Sequence, residues 1–325
     1  MIEVSVIIVN RNTRELLRAC LTSINADVSV TSRETIVVDN GSTDGSREML
    51  AEDFPHVRVR FNDHNEGFAR PNNDAMRMAQ GKYFFLLNSD AWIEPGTLGA
   101  MKTFLDTHPE AGACGPRLIY PDGRQQRSVS RSHSLLTHFF DMTGLDRLFA
   151  ESPLFGGGEM TTCPYDPAAT STVENLMGAA FMTRRTVTEK TGMFDEELSI
   201  YYNEMDWFMR MRNDGWGVYY VPTTAVRHHR GATTAIVNSG FQHFTEMYYN
   251  VFFFFQKHYG FPAVVVYRLL LIAGFTPRLV LWWGRSLSDR SEYVKHMRTY
   301  SGKVLALGLR FWVPVESHRP PAGSP

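Results

Sequence analysis

The sequence is poor in cysteine. Cys20, Cys114 and Cys163 are the only three in 325 residues, and none forms a CxxC pair. So few, spaced so widely, exclude a disulfide framework and fit a reducing compartment. No GxGxxG follows the first apolar run and no GK[ST] phosphate loop occurs, which leaves a dehydrogenase or a nucleotidyltransferase with little support. The opening MIEVSVIIVN lacks a basic leader and a small-residue cleavage site, so no signal peptide is expected. Internal repeats are absent too. The most apolar stretch, Ala263 to Phe275, is interrupted by Arg268 and followed by Pro277-Arg278. A spanning helix wants roughly 20 apolar residues without charge, so a true span is not expected. The net charge of −1 gives no overall field that would favour nucleic acid.

What is present is a globular composition, 43% hydrophobic and 21% charged, with charge unevenly placed. From Gly240 onward there are ten Lys and Arg against four Asp and Glu; the preceding part holds 23 against 30. An acidic body therefore carries a basic tail. Val4 to Val9 and Thr35 to Val38 are short continuous apolar runs, the pattern of strands buried on both faces. Tyr83 to Leu87 is a third such run, and Val57 to Val59 a weaker one. Between them, Arg14 to Ile24 places Leu16, Leu17, Cys20, Leu21 and Ile24 at helical spacing, with Thr13 as N-cap. Gly67 to Ala79 also reads as helix. This alternation predicts an α/β fold with a mostly parallel sheet.

Gly123 to Thr172 reads as irregular, rich in Ser, Gly, Pro and Thr, and includes Gly156-Gly157-Gly158. Order resumes over Val173 to Thr183, a helix over Asn203 to Asn213, a strand over Val218 to Val221 and a loop over Ala225 to Gly231. Beyond Gly240, Phe241, Phe244, Tyr248, Val251, Phe252 and Phe255 form a stripe at i, i+3, i+4 spacing. Two compatible readings stand for that region. It is a helical subdomain packed on the core, or a helical apron on a membrane surface, with aromatics down and cations toward anionic headgroups.

Four constellations carry chemistry. Asn10, Asp39 and Asp90 sit just past strand ends, where ligands bind in parallel α/β sheets. Asp39 and Asp44 lie in VVDNGSTDGS, and Asp90 closes LLNSD; together the three acids suggest a hard-cation site shared with phosphate oxygens. Asn65 and Gly67 open a helix that carries Asn72 and Asn73. In YYNEMDWFMR, Asp206 and Arg210 are i, i+4 partners; Glu204 points elsewhere and is free to act as a general base. Trp207, near that face, offers a flat platform for a sugar. In VRHHRG an imidazole can hold metal, while Arg227 and Arg230 can hold phosphate.

VSVIIVNRN, VVDNGSTDGS, NEGFARPNN, LLNSD, MGAAFMTRR, FDEEL, YYNEMDWFMR and VRHHRGATT occur in the order seen in glycosyltransferase family 2. The sequence resembles that family's bacterial rhamnosyltransferase-like branch over about residues 1 to 235. The resemblance implies a GT-A fold over residues 1–238, with a helical C-terminal region over 239–325. It implies single displacement with inversion at a nucleotide-diphosphate sugar, best matched by dTDP-L-rhamnose with a UDP-hexose as the alternative, and a Mg²⁺ or Mn²⁺ cofactor; a non-catalytic sugar-nucleotide-binding protein is the competing reading. The acceptor would be a hydroxyl of a glycan or polyprenyl-linked glycan in cell-surface polysaccharide synthesis. The enzyme would be cytoplasmic and peripheral at the inner face of the membrane. Carried over by residue, Asp39 would read the N3–H of a pyrimidine, with Asn10, Asp44, Asn65, Gly67, Asn72, Asn73 and Asn88 around the nucleotide. Asp90 and His228 would meet the metal and diphosphate, and Trp207 the acceptor. Glu204 would be the catalytic base, with Asp206 beside it as a second catalytic residue. Two positions depart from the family pattern: Asn88 replaces the first acid of the DXD-type element, and Asn203 the acid before Glu204.

Overall fold

The computed structural model describes residues 1–143, 145–148, 166–198, 202–229 and 242–310. Its contacts divide the chain into two units. Among the described residues, one comprises 1–132, 166–198 and 202–229; the other joins 133–143 and 145–148 to 242–310.

In chain order the first unit runs β1 (Val4–Asn10), α1 (Arg14–Ala26), β2 (Arg33–Asn40), α2 (Ser46–Asp53), β3 (Arg58–Asn62), α3 (Ala69–Met78) and β4 (Tyr83–Leu87). It continues with β5 (Ala91–Ile93), α4 (Thr97–Thr107), β6 (Ala111–Ile119) and β7 (Val129–Ser130). After the second unit's α5 (Leu135–Thr143) and α6 (Leu145–Leu148) come β8 (Ser171–Thr172), β9 (Asn175–Leu176), β10 (Ala180–Arg184), α7 (Arg185–Thr191), α8 (Asn203–Asn213) and β11 (Gly217–His228). The main sheet has the order β3-β2-β1-β4-β10-β6-β11-β5, with β8 paired to β11. β1 pairs in parallel with β2 and β4, and β6 with β11, while β10 and β5 run antiparallel to their neighbours.

The continuous apolar runs are explained by this layering. Side chains alternate across a strand, so Val6, Ile8, Val37, Phe85 and Leu87 enter one core with α1, α2 and α4. Ile7, Ile36, Val38, Phe84 and Leu86 enter a second core with α3, α7 and α8. Both faces are covered, as a parallel sheet requires. The chain builds outward from β1 through β2 to β3, then returns to β4 on the other side of β1. The strand order thus reverses beside β1, and the carboxyl ends of β1, β2 and β4 open onto that switch point.

Three readings from the sequence change. Gly123 to Thr172 is not wholly irregular, since it contains β7, α5, α6 and β8; Gly156 to Gly158 and Cys163 lie outside the described residues. Ala225 to His228 is strand rather than loop. Pro222-Thr223-Thr224 breaks the apolar pattern, and the pairing of β11 with β6 shifts register between Val221 and Ala225 before it resumes. β6 escapes pattern reading because its segment AGACGPRLI is built of small residues. A Cβ on Gly112 would stand 2.7 Å from Trp216 Cβ, and one on Gly115 would stand 2.8 Å from Leu176 Cδ2.

In the second unit, α9 (Gln242–Arg285) is broken at Gly260, whose φ is 78°, and α10 (Glu292–Leu309) follows. Tyr248, Val251, Phe252 and Phe255 are buried, as the stripe predicts; Phe241 is outside the described residues, as is the side chain of Phe244. His138 on α5 lies 5.5 Å from the Phe255 ring and 5.0 Å from Tyr267. Burial, with His133 beside it, holds its imidazole well below the usual pKa. Met247–Arg285 contains a stretch of mean hydropathy 1.8, long and apolar enough to cross a membrane, of which 22% is buried.

Arg184 anchors the first unit. Its guanidinium donates to the carbonyls of Ala111 (2.7 Å), His108 (2.7 Å) and Leu105, tying the end of α4 to β10. Replacing it with methionine removes every donor from those carbonyls that Arg184 supplied. Charge-assisted bonds contribute about 1.5–3 kcal/mol each in favourable cases, so Arg184→Met is expected to lower unfolding stability by about 2–4 kcal/mol in urea titration. An unchanged midpoint would show that the three bonds are dispensable.

Candidate active site

The ends of β1, β2 and β4 are joined by one buried polar network. Asn10 stands opposite Asp39 in the β1–β2 register and donates to Asp39 Oδ1 (3.0 Å) and Ser42 Oγ (3.1 Å). The Thr13 hydroxyl is 2.7 Å from Asn10 Oδ1 and 2.9 Å from Ser89 Oγ. Thr13 is the N-cap residue of α1, but its hydroxyl bonds across the strand ends rather than to the helix. The network therefore runs from Asp39 to the LNSD turn.

Asp39 has no exposed surface. Its Oδ2 accepts from the Ser42 amide (3.2 Å) and from Arg47 Nε (2.9 Å), while Oδ1 accepts from Asn10. Asp44 works as a local cap. It accepts from the Arg14 amide (2.8 Å) and from the Ser46 amide and hydroxyl (3.1 and 2.6 Å). Partial burial opposes ionisation, but these donors outweigh it and hold the carboxyl below the usual range. Neither acid reaches the LNSD turn to form a three-acid cation site, and among the described residues no cluster of three or more His, Cys, Asp or Glu could hold a metal.

Asn65 does not cap α3. It makes a turn in which Asn65 Oδ1 accepts from the Gly67 amide (3.1 Å), and Asn40 Nδ2 pins both Asn65 (2.8 Å) and the Gly67 carbonyl (2.9 Å). Gly67 takes φ of 81°, where a side chain would be strained. Asn72 donates to the Phe68 carbonyl (2.9 Å). Asn73 is spent on structure: it exchanges bonds with the Phe194 backbone (both 3.0 Å) and donates to Glu196 (3.0 Å), which fixes the FDEEL turn to α3.

At the end of β4, the Asn88 amide donates to the Ala179 carbonyl (2.9 Å), continuing the β4–β10 ladder. Asp90 is buried, and its Oδ1 has no hydrogen-bond partner among the described residues. The His229 amide bonds the Asp90 carbonyl (2.9 Å), which brings the end of β11 alongside. There His228 Nε2 lies 3.4 Å from Asp90 Oδ1. On its other side, His228 Nδ1 is 2.7 Å from Gln126 Oε1, and Gln126 Nε2 donates to the His228 carbonyl (3.3 Å). An imidazole nitrogen and an orphaned carboxylate oxygen, both acceptors, thus face each other. That geometry fits a divalent cation bound by two protein ligands, with oxygen atoms of a ligand or water completing its shell.

Glu204 sits in the first turn of α8 and lays its carboxyl on Gly178. A Cβ there would fall 1.8 Å from Glu204 Oε1. Gly178 precedes Ala179, the partner of Asn88, so Glu204 stands at the same end of the sheet as Asp90. Although Glu204 keeps some exposed surface, desolvation of the carboxyl raises its pKa, against the opposing pull of its own helix-terminal amide. The preceding Asn203 is buried, and neither of its amide atoms has a partner among the described residues.

Two residues expected to work here do not face the site. Asp206 is fully buried and paired with Arg210 (2.8 Å), as the i, i+4 spacing predicts; Arg210 in turn holds the Thr191 and Met193 carbonyls (both 2.7 Å). Trp207 is core. It has no exposed surface, its Nε1 donates to the Gly192 carbonyl (2.8 Å), and its ring packs 4.6 Å from Phe194. The face of α8 that packs on the sheet takes Trp207, Phe208 and Met211 with it. Arg227 is turned to Glu94 (2.7 Å), and Arg230 lies outside the described residues. Gln126 and Gly178 were not singled out from sequence, although MGAAF carried a glycine between apolar residues where close approach is the usual reason.

Residues 5–163 match the family model Glycosyl transferase family 2. An N-acetylglucosaminyl-diphospho-decaprenol L-rhamnosyltransferase of Mycobacterium tuberculosis is 27% identical over 218 residues, 61% of this chain and 67% of the relative. Two solved structures show the fold alone. S. aureus TarS residues 1–349 in complex with UDP-GlcNAc aligns with TM-score 0.50 at 15% identity, over 95% of this chain and 72% of that one. GalNAc-T7 with UDP, GalNAc and Mn²⁺ aligns with TM-score 0.53 at 15% identity, over 70% of this chain; the chain spans 44% of that protein.

The raised pKa of Glu204 has a stability consequence. Its ionisation costs more in the folded than in the unfolded chain, whose value is 4.5. The associated stability is present below about pH 4.5 and is lost as pH rises through the folded value. Glu204→Gln is therefore expected to raise the melting temperature at pH 7–8, with the gain shrinking toward pH 4.5. A variant less stable than wild type at pH 8 would contradict the desolvated carboxylate.

Proposed function

We propose that this chain, which belongs to glycosyltransferase family 2, transfers L-rhamnose from dTDP-L-rhamnose to a hydroxyl of a lipid-linked saccharide during cell-surface polysaccharide synthesis. The GT-A sheet and the glycosyltransferase class are its premises. The observation that carries the reading is the convergence of Glu204, Gly178 and the Asp90–His228 pair at one end of that sheet. The mycobacterial relative favours rhamnose and a diphosphopolyprenyl acceptor; the same chemistry with a UDP-hexose is the second reading.

The acceptor oxygen would attack the anomeric carbon as the bond from that carbon to the diphosphate oxygen breaks. The electron pair leaves with the diphosphate, the configuration inverts, and the acceptor proton passes to Glu204. A carboxylate with a raised pKa is the better base near neutral pH, and positioned proton transfer contributes on the order of 10²–10⁴ in rate. Asp90 and His228 would hold Mg²⁺ or Mn²⁺, which when bound supplies Lewis-acid stabilisation of the departing diphosphate. The buried amide of Asn203, one residue from the base, supplies a donor and an acceptor for a sugar hydroxyl. The turns at Gly41–Gly45 and Asn65–Gly67 would wall the nucleotide. Asp39 Oδ1 accepts only from Asn10 among the described residues and would offer its remaining lone pair to a pyrimidine N3–H.

The second unit supports contact with the inner leaflet of a membrane. Phe261, Val265, Leu269, Val280 and Trp283 on α9 are exposed, as are Leu136 and Phe139 on α5. Two of the arginines of α9, Arg268 and Arg278, turn inward instead. Arg268 bonds the Leu307 carbonyl (3.3 Å) and stacks on Phe252, and Arg278 bonds the Met142 carbonyl (2.8 Å) and stacks on Phe275. Exposed apolar side chains with two arginines turned in suit an apolar medium, and the exposed Lys257 and Arg285, with the basic excess after Gly240, suit anionic headgroups. The break at Gly260 and the two inward arginines favour a helix lying in the interface over one that spans.

Three results test these statements. Glu204→Gln should abolish transfer from dTDP-L-rhamnose while dTDP affinity, measured by calorimetry, stays within about threefold; near-normal turnover would assign the base elsewhere. Gly178→Ala should displace the Glu204 carboxyl and cut the transfer rate by about 10²-fold or more, again with dTDP affinity kept; full activity would show that Glu204 need not rest there. Replacing Phe261, Leu269 and Trp283 together by serine should abolish co-sedimentation with phosphatidylglycerol vesicles without lowering the melting temperature. Undiminished binding would remove this face from membrane contact.

A further inference from the structure

The loop after β6 folds back on its own strand. The Gln126 amide bonds the Leu118 carbonyl (2.9 Å), and Gln125 bridges to Ile119. Because Ile119 is registered with Arg227 on the parallel neighbour β11, the loop lies against His228. Gln126 is buried, and both ends of its side-chain amide are committed to that one residue.

The chemistry of the two contacts fixes the direction of each. A backbone carbonyl only accepts, so the Gln126 atom 3.3 Å from the His228 carbonyl is the NH₂ group. The amide oxygen is then the atom 2.7 Å from His228 Nδ1. An oxygen at that distance requires the ring proton to be on Nδ1. In neutral imidazole this leaves the lone pair on Nε2, the nitrogen that faces the orphaned Asp90 Oδ1. The reversed amide would set two acceptor oxygens against each other at the carbonyl and an NH₂ against the ring.

We propose that Gln126 is a positioning residue for the cation site: it holds His228 in the Nδ1–H tautomer and fixes the ring so that Nε2 and Asp90 Oδ1 present a ready pair of ligands. This role rests on the metal-site reading of Asp90 and His228. Ligating histidines are commonly held in this way through their second nitrogen, and loss of such a partner costs about 10–100-fold in metal affinity. Gln126 touches neither the reacting atoms nor the cation. Its effect passes through the ring.

The test compares wild type, Gln126→Leu and Gln126→Glu by two readouts that need no turnover. Mn²⁺ affinity is measured by electron paramagnetic resonance, with Mn²⁺ alone and with Mn²⁺ plus UDP. The His228 tautomer is read by ¹⁵N-imidazole NMR without metal, with the signal assigned by its loss in His228→Ala. Wild type should show the Nδ1–H tautomer. Gln126→Leu should lose that preference and bind Mn²⁺ about 10–100-fold more weakly, whereas Gln126→Glu, which keeps an acceptor at Nδ1 and gives up only the bond to the His228 carbonyl, should keep the tautomer and bind Mn²⁺ more tightly than Gln126→Leu. Equal Mn²⁺ affinity in wild type and Gln126→Leu, or an Nε2–H tautomer in wild type, overturns the role of Gln126 alone. A wild type that transfers sugar yet binds no Mn²⁺ overturns the metal site and this role together while leaving the glycosyltransferase reading intact. Should Gln126→Leu fail to fold, the wild-type tautomer and the isosteric Gln126→Glu decide the matter.

Discussion

Two hydrogen-bond acceptors face each other at 3.4 Å where β4 and β11 end: Asp90 Oδ1 and His228 Nε2. A buried carboxylate oxygen without a donor is costly, and a neutral imidazole lone pair opposite adds repulsion rather than relief. A divalent cation held between them would relieve the conflict, and a proton on Nε2, which makes the contact an ion pair, would relieve it too. The surroundings do not dissolve it, since Gln126 commits the other ring nitrogen as donor and the His229 amide pins the Asp90 backbone. The rest of the site is organised around keeping this pair in place.

The fold brings that pair about by sheet register. β10 enters antiparallel between β4 and β6, so the amino end of β10 lies beside the carboxyl end of β4. That puts Gly178 next to the LNSD turn and gives Glu204 a floor close to Asp90. β11 runs parallel to β6 past Val221 and ends on β5, which delivers His228 opposite Ala91. On the other flank, Thr13 joins Asn10 to Ser89, so the ends of β1 and β2 are held to the same turn. Residues separated by more than a hundred positions meet because β10 pairs with β4 and β11 with β5.

Much of this was legible in the sequence. β1, β2 and β4 announce themselves as unbroken apolar runs because both faces of the sheet are covered, and α8 is bounded as its periodicity predicts. The pairing of Asp206 with Arg210 follows from helical spacing alone. What could not be read depends on distant partners. β6 hides because Trp216 and Leu176 press against it and admit only small residues. Trp207 is near Glu204 in angle around the helix, but only the packing of α8 on the sheet shows that its ring faces the core. Gln126 sits in a polar loop 102 positions from His228, and nothing local to it signals a partner. Asn73 reads as a ligand amide until the Phe194 backbone is seen to consume it.

His228 and Asp90 are proposed to hold a divalent cation against a nucleotide diphosphate. Electron spin-echo envelope modulation of Mn²⁺ bound to the protein with dTDP measures this most directly. A ¹⁴N modulation from a coordinated imidazole, present in wild type and absent in His228→Ala, is the predicted result. Mn²⁺ that binds with dTDP but shows no imidazole nitrogen, or an identical spectrum in His228→Ala, would contradict it.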